Sequence, residues 1–135
     1  MKTIINENQR GLLFKNGKFT EYLKPGKHIR YGNNLSVQPV HIDEEFKLQG
    51  YDLEVFMANK DLESEVVTVD VADETLALHF VNGKYTRALT SGKYAFFKIH
   101  DKHEFKVVTL EFKLLINMYR QHTQVVTISD MFTGF

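Results

Sequence analysis

The sequence predicts a mainly β domain built from two similar halves, residues 1–66 and 67–135, with at most one or two short helices. Residues 11–28 are similar in sequence to residues 77–94, so that Asn16 corresponds to Asn82. Each copy places an Asn-Gly pair between two alternating stretches, which is the strongest short-range signal for a β-hairpin. The sequence leaves open whether the sheets form a β-sandwich or a partly open barrel.

The composition bounds the class of protein. The chain has 135 residues, and its 17 Lys and Arg balance its 17 Asp and Glu. A general electrostatic attraction to nucleic acid or anionic lipid is therefore not expected. The absence of Cys excludes disulfides, Cys-based zinc sites and thiol nucleophiles. No apolar run reaches the roughly 18 residues of a transmembrane helix, so we expect a cytoplasmic protein that is peripheral to a membrane only through a partner.

The first hairpin is centred on Asn16 and Gly17. Both central residues of a type I′ turn need positive φ, which Asn tolerates and Gly adopts freely. In that register Phe14 lies opposite Phe19, and a cross-strand aromatic pair stabilises a hairpin by roughly 0.2–1 kcal/mol. The second copy repeats the arrangement with the turn Asn82-Gly83 and the pair Phe80 and Tyr85.

A further turn follows each hairpin. Pro25 pre-sets its own φ, and Gly26 supplies the positive φ that a type II turn requires. In the second copy Gly92 keeps this position while the proline is lost. The residues predicted to be structural turns are Asn16, Gly17, Pro25, Gly26, Asn82, Gly83 and Gly92.

The duplication extends beyond the hairpins. Residues 35–39 predict a short strand whose proline favours a sheet edge. Residues 45–48, Glu-Phe-Lys-Leu, recur as residues 111–114 at the same offset that separates Asn16 from Asn82. The similarity covers about residues 4–50 and 70–116. We therefore divide the chain into a first repeat, residues 1–66, and a second repeat, residues 67–135, packed as one unit.

Between and after the copies the periodicity is less uniform. Leu53–Met57 is predicted as a strand, residues 59–65 as one helical turn, and residues 65–71 as a strand in which Val alternates with polar residues. Residues 108–118 fit both a strand and a helical stripe, and we favour the strand because its alternation is longer. Residues 123–129 echo residues 64–70, either as a final strand closing the sheet or as the first strand of further sequence.

The predicted core follows from the two hairpins, which we expect to be related by a pseudo-two-fold axis. Large apolar residues on their facing sides would fill the space between the sheets. The predicted core residues are Leu12, Phe14, Phe19, Leu78, Phe80, Tyr85, Phe112 and Leu114.

Histidines and acidic runs are the candidates for chemistry. His100 and His103 have a His-x-x-His spacing, but no third ligand can be named and a solvated polar loop is the better interpretation. His79 is predicted to be a partly exposed structural histidine. The acidic runs at residues 43–45 and 73–74 abut strand starts, where charged turns are ordinary. No nucleophile elbow, phosphate loop or metalloprotease helix is present. We therefore predict no catalytic, cofactor-binding or metal-binding residues and no enzyme activity.

The repeated block resembles the opening of band 7 proteins (the stomatin, prohibitin and flotillin, or SPFH, superfamily), particularly bacterial slipins. The matching residues are Glu7, Gly11, residues 12–14, Gly17-Lys18 and residues 23–28. Residues 69–84 are also similar to a segment that longer slipin-like chains carry in tandem. The resemblance covers about two-thirds of the chain and implies a scaffold rather than an enzyme. The family's membrane anchor and long C-terminal helical stretch have no counterpart in this sequence.

Two functions are expected from these observations. The first is a non-catalytic scaffold or protein-interaction module that associates with copies of itself or with a protein partner, including one at a membrane. The alternative is a small-ligand or metal-binding β domain with a groove between the two repeats, for which His100 and His103 are the first candidates. An enzyme of unrecognised class is a third hypothesis. Self-association would favour the first function, and stabilisation by a ligand would favour the second.

Overall fold

Strands dominate the computed structural model, which describes residues 1–110. Two sets of five strands flank two short helices, so the predicted mainly β fold class is confirmed. The first set is β1 (Lys2–Ile5), β2 (Gln9–Lys15), β3 (Lys18–Leu23), β4 (Gly26–Ile29) and β5 (Leu35–His41). The helices are α1 (Leu53–Met57) and α2 (Lys60–Glu65). The second set is β6 (Val66–Val71), β7 (Thr75–Val81), β8 (Lys84–Leu89), β9 (Gly92–Phe97) and β10 (His103–Thr109).

Each half contains one two-stranded ribbon and one three-stranded sheet. The first ribbon is β1-β4 and the first sheet is β3-β2-β5. The second ribbon is β6-β9 and the second sheet is β10-β7-β8. All these pairs are antiparallel. Among residues 1–110 the arrangement is a layered sandwich, and none of the four sheets closes into a barrel.

Both predicted hairpins form in the predicted register. Asn16 and Gly17 have φ of 54° and 76°, as a type I′ turn requires. Phe14 is paired with Phe19, and their ring centroids lie 5.9 Å apart. The second hairpin repeats this with φ of 51° at Asn82 and 82° at Gly83, and with Phe80 paired to Tyr85.

The second turn in each half also requires glycine. Gly26 and Gly92 have φ of 134° and 147°, a region that L side chains rarely adopt. These angles lie more than 50° beyond the roughly +80° of an ideal type II turn, so the positive φ of the glycines was predicted correctly and the type II turn was not.

The predicted strand at Leu53–Met57 is wrong, because this segment is helix α1. Leu53, Phe56 and Met57 pack against the core while Glu54 and Val55 are exposed, which is a helical spacing. Helix α2 confirms the predicted helical turn, and its Asn59 cap accepts a hydrogen bond from the Leu62 backbone N–H. No helix in the described part of the chain is long and apolar enough to span a membrane.

Four apolar clusters fix the order of the layers. The first ribbon packs on the first sheet through Ile5, Leu13 and Leu23. The opposite face of the first sheet packs, through residues 42–65 (the linker), on the outer face of the second ribbon. The inner face of the second ribbon packs on the second sheet. A last cluster, which includes Leu78 and Leu110, lies on the far face of the second sheet.

This order overturns the expected pseudo-two-fold axis. A two-fold axis would bring equivalent faces together, whereas the central cluster joins the sheet face of the first half to the ribbon face of the second. Leu12 lies in that cluster, and its counterpart Leu78 lies in the terminal cluster. The two halves are therefore stacked in tandem.

The stacking also explains which predicted core residues are buried. Leu12, Phe14 and Leu78 are buried, and Phe19 and Phe80 are partly buried. Tyr85 was predicted to be in the core but is 39% exposed, because the linker covers Phe19 and not its counterpart Tyr85. Phe112 and Leu114, the remainder of the predicted strand over residues 108–118, and residues 123–129 lie outside the described residues.

One pair of contacting core residues differs between the halves, while the backbone register stays the same. In the first half Gly11 lies against Ile5, and a Cβ at Gly11 would come within 2.7 Å of Ile5 Cδ1. The corresponding positions hold Ala77 and Val71, both buried. A larger strand residue is thus matched by a smaller partner, as close packing demands.

We expect Gly11→Ala to destabilise the protein by roughly 1–3 kcal/mol, because the added methyl overpacks the contact with Ile5. The double variant Gly11→Ala with Ile5→Val reproduces the pair of the second half and should recover most of the loss. Urea unfolding of the wild type and both variants measures this. Equal midpoints for the single and double variants would show that the Ile5 contact does not set the cost.

Candidate functional site

A hydrogen-bonded histidine pair lies inside the second half. His79 on β7 is only 3% exposed, so the prediction that it is partly exposed is wrong. Its Nε2 lies 2.8 Å from Nδ1 of His103, and His103 Nε2 lies 2.9 Å from the Phe97 carbonyl oxygen. The His79 ring lies between the rings of Phe96 and Phe105, with centroids at 4.3 and 4.9 Å.

When both rings are neutral, the hydrogen-bond partners of the pair select one tautomer of each ring. The Phe97 carbonyl can only accept, so His103 Nε2–H donates to it and neutral His103 Nδ1 accepts from His79 Nε2–H. His79 Nδ1 is then unprotonated, and it is buried without a hydrogen-bond partner. Burial, reinforced by the nearby His103 and Arg87, lowers the pKa of His79 to about 4.

The first half holds an apolar counterpart at the same place. Leu13 occupies in the first copy the position of His79 in the second, and Leu35, which opens β5, corresponds to His103, which opens β10. Leu13 and Leu35 belong to one apolar cluster. The second half thus replaces a leucine contact by a histidine pair, and a polar hydrogen bond by itself does not mark a reactive group.

The predicted His100 and His103 pair lines one cavity of about 380 Å³ together with Val67 and Lys98, but the two rings have different surroundings. His103 turns inward to His79, while His100 is exposed on the loop between β9 and β10. That loop is tied to the second hairpin turn, because Asn82 Nδ2 donates to Asp101 Oδ1 at 3.0 Å. Residues 1–110 contain no group of three or more His, Cys, Asp or Glu side chains suited to a metal ion.

The acidic runs serve local structure. Glu45 forms an ion pair with Arg87 at 2.7 Å, which joins the linker to β8. Asp73 Oδ1 accepts a hydrogen bond of 2.6 Å from Ser91 Oγ, and Glu74 occupies a turn with φ of 63°. These contacts match the interpretation of both runs as charged turns.

A groove of about 590 Å³ lies between the linker and β9. Its walls include Phe46, Tyr51, Glu54 and Lys93. Lys93 Nζ forms an ion pair with Glu54 that lowers the pKa of Glu54 and raises the pKa of Lys93. The volume is in the range of small-ligand pockets, and the groove lies between linker residues of the first repeat and Lys93 and Tyr94 of the second repeat.

A buried polar cluster connects the first sheet to α2. Tyr22 donates a hydrogen bond of 2.7 Å to Glu65 Oε1, and Arg10 Nε lies 3.5 Å from the same oxygen. Arg10 Nη1 also donates to the carbonyls of Glu7 and Gln9. Burial and the adjacent Glu65 carboxylate raise the pKa of Tyr22, so its hydroxyl stays protonated. This cluster joins the first sheet to the linker.

An apolar surface on the first ribbon was missed by the sequence reasoning. The outer face of the ribbon, together with Tyr31 just beyond β4, is termed the open face and consists of Lys2, Ile4, Lys27, Ile29 and Tyr31. Ile29 and Tyr31 are 47% and 89% exposed, whereas their counterparts Ala95 and Phe97 are 0% and 1% exposed. Aligning the copies through β4 and β9 would have revealed these pairs.

Stability should fall as the pH is lowered from 7 to 5. The unfolded chain binds a proton at His79 near pH 6.5, while the folded pKa is about 4, so the unfolded state binds more protons throughout this range. The expected loss is about 1–2 kcal/mol, measured by urea unfolding at both pH values. The double variant His79→Leu with His103→Leu, which copies the first half, should flatten the dependence.

His41→Asn on exposed β5 is the matched control and should leave the pH dependence as in the wild type. An unchanged slope in the double leucine variant would contradict the assignment to His79.

Comparisons with known proteins provide no further evidence about the function of this chain. No protein-family model matches the chain, and no curated protein or solved structure matches it either. The resemblance to band 7 proteins, which depends mostly on the turns, therefore stays a prediction.

Proposed function

We propose that this chain is a non-catalytic scaffold or protein-interaction module that associates with copies of itself. The observation that carries the proposal is the exposure of Ile29 and Tyr31 at positions that the second half buries as Ala95 and Phe97. The fold therefore offers a second site of the kind that the linker already covers once.

The chemistry of the open face supports a protein partner. Ile4, Ile29 and Tyr31 are large exposed side chains on this face, and grouped exposed apolar residues mark interaction sites. Tyr is enriched in interfaces because it combines a large apolar ring with a polar hydroxyl. Lys2 and Lys27 beside them keep the face hydrated while it is free.

The non-catalytic part of the proposal is supported by the roles of the perturbed groups. Tyr22 retains its proton in a contact between the first sheet and the linker, and His79 is neutral within the core. Tyr22 holds its proton in that hydrogen bond, and the basic Nδ1 of His79 is buried away from solvent, which argues against a role for either group as a base or nucleophile.

The resemblance to band 7 proteins extends the proposal to its setting. A cytoplasmic scaffold of that kind would meet a membrane through a membrane-associated partner rather than by its own insertion. The finding that no described helix can span a membrane is compatible with this setting.

Size-exclusion chromatography with light scattering over a wide range of protein concentration tests the proposal. We expect the mass to rise with concentration above that of the 15.7 kDa chain. Ile29→Lys with Tyr31→Ser should weaken the association by at least about tenfold in Kd, because loss of an aromatic anchor costs roughly 2 kcal/mol or more.

Val55→Lys is the matched control, since Val55 on α1 is 46% exposed, almost as much as Ile29. It should leave the association unchanged. A mass equal to one chain at every concentration would overturn the proposed self-association.

A further inference from the structure

The linker provides a template for what the open face binds. We infer that, in a second copy of this chain, residues 111–114 dock on the open face and extend the free edge of β4. This inference rests on the proposed self-association and specifies its geometry. It follows from the way residues 45–48, which have the same sequence, dock on the second ribbon.

In the second ribbon the linker adds to the free edge of β9. The Phe46 backbone N–H donates to the Ala95 carbonyl at 2.8 Å, and Glu45 forms a bridge with Phe96. The Phe46 ring packs edge-on against Phe97 with centroids 5.7 Å apart. Backbone pairing and one aromatic anchor thus cover this ribbon.

The first ribbon presents the same groups uncovered. Ile29 corresponds to Ala95, and its carbonyl oxygen accepts a 2.8 Å hydrogen bond from Nη1 of Arg30. An arginine side chain thus occupies the acceptor that a backbone N–H fills in the other half, a common protection of sheet edges by charge. In the docked state the Phe112 N–H would take this acceptor and the Phe112 ring would cover Tyr31.

The charges at this edge also fit. Glu45 of the linker pairs with Arg87 in the second half, and in the first half Arg30 takes the position of Phe96, which bridges to Glu45. Arg30 already binds Glu21 through Nε and Nη2. Its Nη1, released from the Ile29 carbonyl, would be available to Glu111 of the second copy.

The far face of the second sheet corresponds to the face that the linker covers in the first half. In the first half the linker packs on a sheet face that contains Leu12, Phe14 and Phe19. The corresponding face of the second sheet carries Leu78, Phe80 and Tyr85, and Tyr85 is exposed. Leu78 is only 2% exposed, so this face is already largely covered, and the open face of the first ribbon is the apolar surface that a second copy can use.

The layer order requires that the docked segment come from another copy. Leu110 packs on the far face of the second sheet, and residues 111–114 follow it directly. Four layers spaced by about 10 Å place the open face about 30 Å away. Four extended residues span at most about 14 Å. A head-to-tail contact of this kind is heterologous and generates an open-ended assembly.

Cross-linking tests the inference directly, because the chain contains no Cys. Arg30 and Glu111 would face each other as Phe96 and Glu45 do, and directly opposed residues have Cα separations that suit a disulfide. Mixing Arg30→Cys chains with Glu111→Cys chains under mild oxidation should give a reducible dimer, with positions 30 and 111 joined in the tryptic map. Arg30→Cys mixed with Glu104→Cys, exposed on β10, is the matched control and should give several-fold less.

The double variant Arg30→Cys with Glu111→Cys separates the sources of the segment. A ladder of dimers and longer species supports the head-to-tail contact, whereas an oxidised product of one-chain mass would overturn it in favour of the same chain. If wild-type chains still associate by light scattering but the mixture of Arg30→Cys and Glu111→Cys chains cross-links no more than the control, this docking is overturned and the proposed function stands. If neither cross-linking above the control nor association by light scattering is observed, both the docking and the proposed self-association are overturned.

Discussion

The structure depends on the packing of one linker side chain, Phe56. This residue is buried, and its ring lies 5.0 Å from Phe19 of the first half and 5.3 Å from Phe46 of the linker. Phe46 in turn packs against Phe97 of the second half. Two β units that share no sheet are therefore held together through aromatic contacts of the segment between them. The linker is thus a structural layer as well as a connection.

The two halves keep one backbone and differ in what they pack on it. Ribbon and hairpin have the same register in both copies, including the irregularity before Phe14 and before Phe80. The side chains diverge in matched sets, so that Gly11 with Ile5 becomes Ala77 with Val71. Close-packed cores tolerate paired changes that conserve the total volume better than single changes that alter it. Divergence of this kind therefore preserves the fold.

The turns could be predicted from sequence because their chemistry is local. Asn-Gly and the later glycines need positive φ whatever surrounds them, and all adopt it. The helix at Leu53–Met57 could not be predicted from alternation, since so short a segment satisfies a strand and a helix equally well and the choice depends on which face meets the core. The burial of His79 and the exposure of Tyr85 depend on the position of the linker, which no local pattern encodes. The open face was detectable only by comparing the two copies position by position.

Tandem stacking has a consequence that a two-fold arrangement would not have. When equivalent faces pair, each of two units covers the face of the other, and neither of these faces stays exposed. When the sheet face of one unit pairs with the ribbon face of the next, any finite number of units leaves one face of each kind uncovered. In the part of the chain that the structure describes, Ile29 and Tyr31 belong to the uncovered ribbon face, whereas Leu78 on the sheet face of the second unit is buried and Tyr85 at its margin is exposed. The exposed apolar residues of the first ribbon therefore follow from the packing rule that joins the halves.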